Sequence, residues 1–165
     1  MKKYYLLLFM VFCAFTQSIA QSGNVVVTTT LTDVISLTIA VPTAAIIMNT
    51  ADHYQNGTST SVPAALTIVS NQPWDLSVKA QNANFSYLTN NIAASNFSVV
   101  VSGEADGVNS GETSLSNTDQ VLINGASGIT LSSLALEYKA AGGSNFIGQP
   151  AGAYTNTFVF TVTAD

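Results

Sequence analysis

The sequence predicts an all-β protein: an immunoglobulin-like sandwich of two sheets, preceded by a cleaved signal peptide. Three observations lead there. Apolar and polar residues alternate with a period of two along several stretches, the pattern of strands with one buried and one wet face. Clusters of Gly, Asn, Pro and Ser punctuate these stretches as turns. No segment shows the 3.6-residue apolar repeat of an amphipathic helix, so sheet must pack on sheet.

The chain opens with Met1-Lys2-Lys3, an apolar run from Tyr4 to Phe15, and a small-x-small site ending at Ala20. These are the basic, apolar and cleavage regions of a secretory signal, and the run is shorter than the ~20 apolar residues that a spanning helix needs. Domain organisation is therefore expected as a signal at 1–20 and one sandwich domain at 21–165, with no transmembrane segment in the mature chain. The rival, lipidation of Cys13, is disfavoured by bulky Phe12 directly before it.

Cleavage changes the charge. Lys2 and Lys3 leave, so Lys79 and Lys139 face 9 acidic residues, a net of −7. Such a surface repels phosphate, which excludes nucleic acid as a partner. Cys13, the one cysteine, leaves as well. The mature domain must stand on its core alone, and its length suffices for one.

From Val25 to Val41 the odd positions are mostly apolar and the even ones mostly Thr, Ser and Ala. The run is about three times a typical strand, so it is divided near Thr32-Asp33, where a charge interrupts the buried phase. Residues 49–63 read as a polar loop with a turn at Asn56-Gly57. Ala64–Ser70 and Trp74–Ala80 then form a hairpin around Asn71-Gln72-Pro73. Phe97, Val99 and Val101 mark the next strand, and residues 103–116 a loop. Val121–Ile123 reads as a short edge strand. Ile129–Lys139 alternates with a slip near Ser132-Ser133, the signature of a bulge. The last strand turns Tyr154, Phe158, Phe160 and Val162 inward, giving seven or eight strands in all. A closed barrel is the second architecture compatible with this pattern.

Residues able to do chemistry are few. His53, the single histidine, sits in Asp52-His53-Tyr54 and reads as a solvated loop residue rather than the base of a Ser-His-Asp relay. One histidine also excludes the common zinc sites. The acids are scattered singly, so no pair is marked for glycoside hydrolysis. The weak metal candidates are Glu104, Asp106, Asn109 and Glu112, four oxygen-bearing residues in one Gly-rich stretch that could converge on calcium. The alternative for that stretch is a plain strand connection. Tyr54, Phe85, Tyr87 and Phe146 lie in or near expected loops, where exposed rings could stack on sugars, whereas Trp74 is in phase with a buried face. Three N-glycosylation triplets begin at Asn56, Asn84 and Asn96.

Two stretches resemble a known type. Leu66 through Ala80, with its strand-turn-Trp-strand order, is similar to segments of secreted bacterial surface domains. Pro150-Ala151-Gly152-Ala153-Tyr154 through Thr163 resembles the Pro-x-Gly-x-Tyr closing strand of the spore coat protein U and fimbrial-subunit type. The resemblance implies an immunoglobulin-like sandwich at the surface of a Gram-negative bacterium, in families linked to pili, coat or biofilm. Many such subunits carry a disulfide, which this mature chain lacks.

The expectation is thus a non-enzymatic structural or adhesive surface protein without cofactor, exported to the cell surface, the medium or the periplasm. Its partners would be copies of itself or other surface proteins joined through an edge strand, for which Asn24–Leu31 is the candidate, since it has no charge or proline to protect it. A carbohydrate-binding module that takes glycans is the alternative. The exported protein should begin near Gln21. N-terminal sequencing or intact mass checks this, and a product that keeps residues 1–20 or starts at Cys13 contradicts it.

Overall fold

A computed structural model describes residues 26–103 and 106–165, with backbone only at 129–131. Asn24 and Val25, like the expected signal at 1–20, lie outside the described residues. The chain divides into two units, Met1–Leu31 and Thr32–Asp165. In the first, residues 26–31 form no strand, contrary to the expected strand over Asn24–Leu31. Alternation alone makes no strand, because a strand also needs a neighbour to take its backbone hydrogen bonds.

The second unit is all-β. Its strands are β1 Ile35–Ile39, β2 Thr58–Ser70, β3 Trp74–Ala80, β4 Asn84–Tyr87, β5 Asn90–Ala93, β6 Phe97–Gly103, β7 Val108–Asn109, β8 Glu112–Ser114, β9 Gln120–Ala126, β10 Ile129–Ala140 and β11 Phe158–Ala164. A short α-helix, α1, spans Ala51–Asn56, and a single 3-10 turn spans Ala94–Asn96 among the described residues. Three sheets result: β1-β2-β10-β6-β8, β11-β3-β9-β7 and the hairpin β4-β5. Each pairing is antiparallel.

The division at Thr32-Asp33 has a physical cause. Asn71, in the turn between β2 and β3, binds the chain just ahead of β1: its Oδ1 accepts from the Val34 amide at 2.8 Å, and its Nδ2 donates to the Thr32 carbonyl at 2.8 Å. Gln72 Nε2 donates to Asp33 Oδ1 at 3.1 Å. The strand then runs along β2 with Ile35, Leu37 and Ile39 opposite Ser70, Ile68 and Leu66.

The expected loop over 49–63 is instead α1 and the first half of β2. Thr50 caps the helix, its hydroxyl accepting from the His53 amide at 3.1 Å. Gly57 (φ +84°) ends it where a Cβ would collide with the Ala140 carbonyl oxygen. Thr58–Val62 then pairs with the end of β10. Polar Thr and Ser suit a strand with one wet face. Pro63 is accommodated because residues 63–65 of β2 bulge opposite Ala135, with Ala64 at φ 48°.

β3 alternates buried and half-buried along its length, as the sequence predicts. β10 is irregular, but its register shifts lie between Ile129 and Ser132 and between Leu134 and Leu136, on either side of the Ser132-Ser133 step where the slip is expected. The β4-β5 hairpin was not foreseen: Phe85 and Ile92, both buried, face each other across it. β9 is longer than expected and lies inside its sheet between β3 and β7. The expected 103–116 loop contains β7 and β8, one in each main sheet.

The core joins Leu66 and Ile68 of β2 and Leu134 and Leu136 of β10 with Trp74, Leu76 and Val78 of β3. Trp74 is fully buried. Phe158 and Phe160, expected in the core, are only half-buried, although they are in phase with Ala80 and Val78. They lie in the last strand of their sheet, where Phe158 meets Phe85 and Tyr138 but no further strand continues the sheet among the described residues.

Among the described residues, the Ser132 hydroxyl and Trp74 Nε1 are buried without a hydrogen-bond partner. An orphaned hydroxyl carries a desolvation cost that its removal relieves. In urea unfolding, Ser132→Ala is therefore expected to be neutral or stabilising by about 1 kcal/mol. Leu136→Ala, a few residues along the same strand, should lose about 2–5 kcal/mol.

Candidate functional site

The residues marked for chemistry do not assemble into a catalytic centre. His53 lies on α1, and its Nδ1 accepts from the Asn49 amide at 3.5 Å. The neighbouring Asp52 turns instead to Asn56, whose Nδ2 donates to Asp52 Oδ1 at 2.6 Å. The relay geometry, with the acid holding the imidazole, is not formed.

The calcium candidates are drawn apart. Glu104 lies outside the described residues. Asp106 Oδ1 accepts from the Ser127 amide at 2.8 Å, and hydrogen bonds from Ser127 hold its carboxyl below the usual range. Asn109, on β7, accepts from the Gly111 amide at 2.9 Å and donates to the Val101 carbonyl at 2.6 Å. Glu112 is on β8, in the other main sheet. Among the described residues no group of three or more His, Cys, Asp or Glu is placed to hold a metal ion.

Glu112 instead anchors a polar cluster on the outer face of its sheet. Ser98 Oγ donates to its Oε1 at 2.7 Å and Lys139 Nζ to its Oε2 at 3.0 Å. Glu137 stands 3.9 Å from the same ammonium. The Ser98 hydrogen bond, then Lys139, lowers the Glu112 carboxyl below its ordinary range; the Glu112 hydrogen bond raises Lys139. Both acid and base are thereby held in their charged forms, which suits an ion pair and not proton transfer at neutral pH.

Of the candidate sugar-stacking rings, Phe85 and Phe146 are buried, stacked on or edge-on to Phe97. Tyr54 and Tyr87 are half-exposed, and Tyr87 is tilted against Tyr154 at 5.5 Å.

A feature invisible to motif reading is the inequality of the two sides of the sandwich. On one side the sheets end in β7 and β8, strands of 2 and 3 residues. The Glu112–Lys139 pair lies beside this edge. Short, charged edges resist pairing with another chain. On the other side they end in β1 and β11, of 5 and 7 residues, with sequences ISLTI and FVFTVTA that contain neither charge nor proline. Ile35, Leu37 and Ile39 share the inward phase of buried Leu66 and Ile68, yet Ile35 and Ile39 remain 39% and 45% exposed. Opposite them Phe158, Phe160 and Val162 are half-covered. The two edges therefore differ: one ends in short strands beside charges, while the other ends in β1 and β11, longer and uncharged strands that approach each other across the sandwich.

The chain matches no protein-family model and no curated protein. The fold and its surfaces define the class: an all-β sandwich with one unprotected edge.

The Glu112 cluster sets a pH dependence. Because the folded carboxyl titrates below its unfolded value of about 4.3, its contribution to stability is complete above that value and disappears as pH falls through the folded one. Urea midpoints of the unsubstituted protein and Glu112→Gln should differ modestly near pH 7 and converge below about pH 4.

Proposed function

We propose that this chain is a non-enzymatic structural or adhesive protein of the bacterial cell surface, of pilus, coat or biofilm type, exported there by its N-terminal signal. The long, uncharged edge strands β1 and β11 carry the reading. Six inward-phase apolar residues stay partly uncovered there, beside two edge strands without a protecting charge. An additional strand laid along β11 would satisfy its free backbone groups and cover Phe158, Phe160 and Val162 in one step. The partner is another copy or another surface protein. The Pro-x-Gly-x-Tyr resemblance of the closing segment supports the same class, and the dispersal of the acids and His53 into local bonds supports a role without catalysis.

In light scattering the mature protein should associate as its concentration rises. Val159→Lys with Thr163→Lys places charge on the outer face of β11, and should suppress association while leaving the thermal midpoint nearly unchanged. A mature chain that stays monomeric at high concentration, or association indifferent to the two lysines, overturns the reading.

A further inference from the structure

We propose that a cavity between α1 and the loop 143–149 binds one ring of a neutral saccharide. This inference goes beyond self-association and does not depend on it, since the cavity is built from other elements than β1 and β11. It is a shallow depression open to solvent, with about 560 Å³ of accessible space.

The cavity is a constructed feature. The Gly143 amide donates to the Tyr54 carbonyl at 2.7 Å, fastening the loop to the helix. The loop then winds on itself, with the Phe146 amide donating to the Gly143 carbonyl at 3.0 Å and the Gln149 amide to the Phe146 carbonyl at 3.4 Å. Phe146 is buried and held edge-on to Phe97 at 5.5 Å, so its backbone and ring form a fixed base. Tyr54 and Ile147, the latter 61% exposed, contribute apolar surface; Gln55 and Gln149 contribute amides. Gln149 makes only two long contacts, donating to the Asn145 carbonyl and accepting from the Tyr154 hydroxyl, each at 3.5 Å.

The lining selects a ligand class. No charged side chain lines the cavity, and the chain's formal charge is −5, so an anion finds no counter-charge and meets a repelling field. The two side-chain amides offer both donors and acceptors to a polar guest. A pyranose ring fits both demands: its C–H face lies on Tyr54 and Ile147, and adjacent hydroxyls both donate to and accept from amides, which carry both functions. The lining contains no carboxylate or imidazole, so the site binds without cleaving.

The test is titration of the full mature protein with cellohexaose, mannohexaose and maltohexaose, read by calorimetry and backbone NMR shifts, with oligoalginate as the acidic comparison. At least one neutral hexasaccharide should bind and shift the amides of α1 and residues 143–149, while oligoalginate should not. Gln55 and Ile147 are exposed, so Gln55→Ala and Ile147→Ala should each weaken binding about threefold to tenfold at an unchanged thermal midpoint. The proposal is overturned if none of the three binds, if oligoalginate binds equally, or if binding survives the double substitution. Monomeric protein that still binds sugar would sink the self-association reading alone.

Discussion

The sandwich depends on apolar burial between its two main sheets. The chain's one cysteine is Cys13, so no disulfide within the chain can brace the fold. The ion pairs of the described residues, Lys79–Asp119, Lys139–Glu112 and Lys139–Glu137, are all solvent-accessible, and such pairs contribute little. What remains is the cluster in which Leu66, Ile68, Leu134 and Leu136 from one sheet pack with Trp74, Leu76 and Val78 from the other. Long pairing between β2 and β10, carried past Pro63 by a bulge, keeps the inward phase constant on both sides of the kink. That constancy lets one sheet cover the other.

The same dependence explains why the uneven edges matter. A core built by burial alone is weakest where burial stops, and here it stops at β1 and β11. The short β7 and β8 end their sheets with little exposed backbone, beside charged residues. The opposite side has longer strands whose apolar side chains are in phase with the core yet partly exposed. An edge of that kind would be stabilised by gaining a strand, so the proposed association would extend the same burial that folds the chain.

The polar surface works by different rules. Asp33, Asp52 and Asp106 each bond a turn, helix or loop group, namely Gln72, Asn56 and the Ser127 amide, and Asp75 on β3 accepts from the Gly125 amide on β9. These carboxylates brace connections between strands. Acids so engaged are poor candidates for chemistry.

By itself the sequence determined the fold class and the inward phase of its clearest strands. Leu76 and Val78 face in because side chains alternate about a strand whatever surrounds it. The break at Thr32-Asp33 and the irregularity near Ser132 were legible for the same local reason. Thr58–Val62 was not, because a polar strand differs from a loop only through its partner, β10. The phase of Phe158 and Phe160 was readable but their coverage was not, since it depends on which strand lies alongside. Tyr54 and Gln149 stood far apart in the chain until the Gly143–Tyr54 hydrogen bond joined helix to loop. Direction of a side chain is a property of local backbone geometry; its surroundings belong to the pairing of distant segments, and only the tertiary structure decides that.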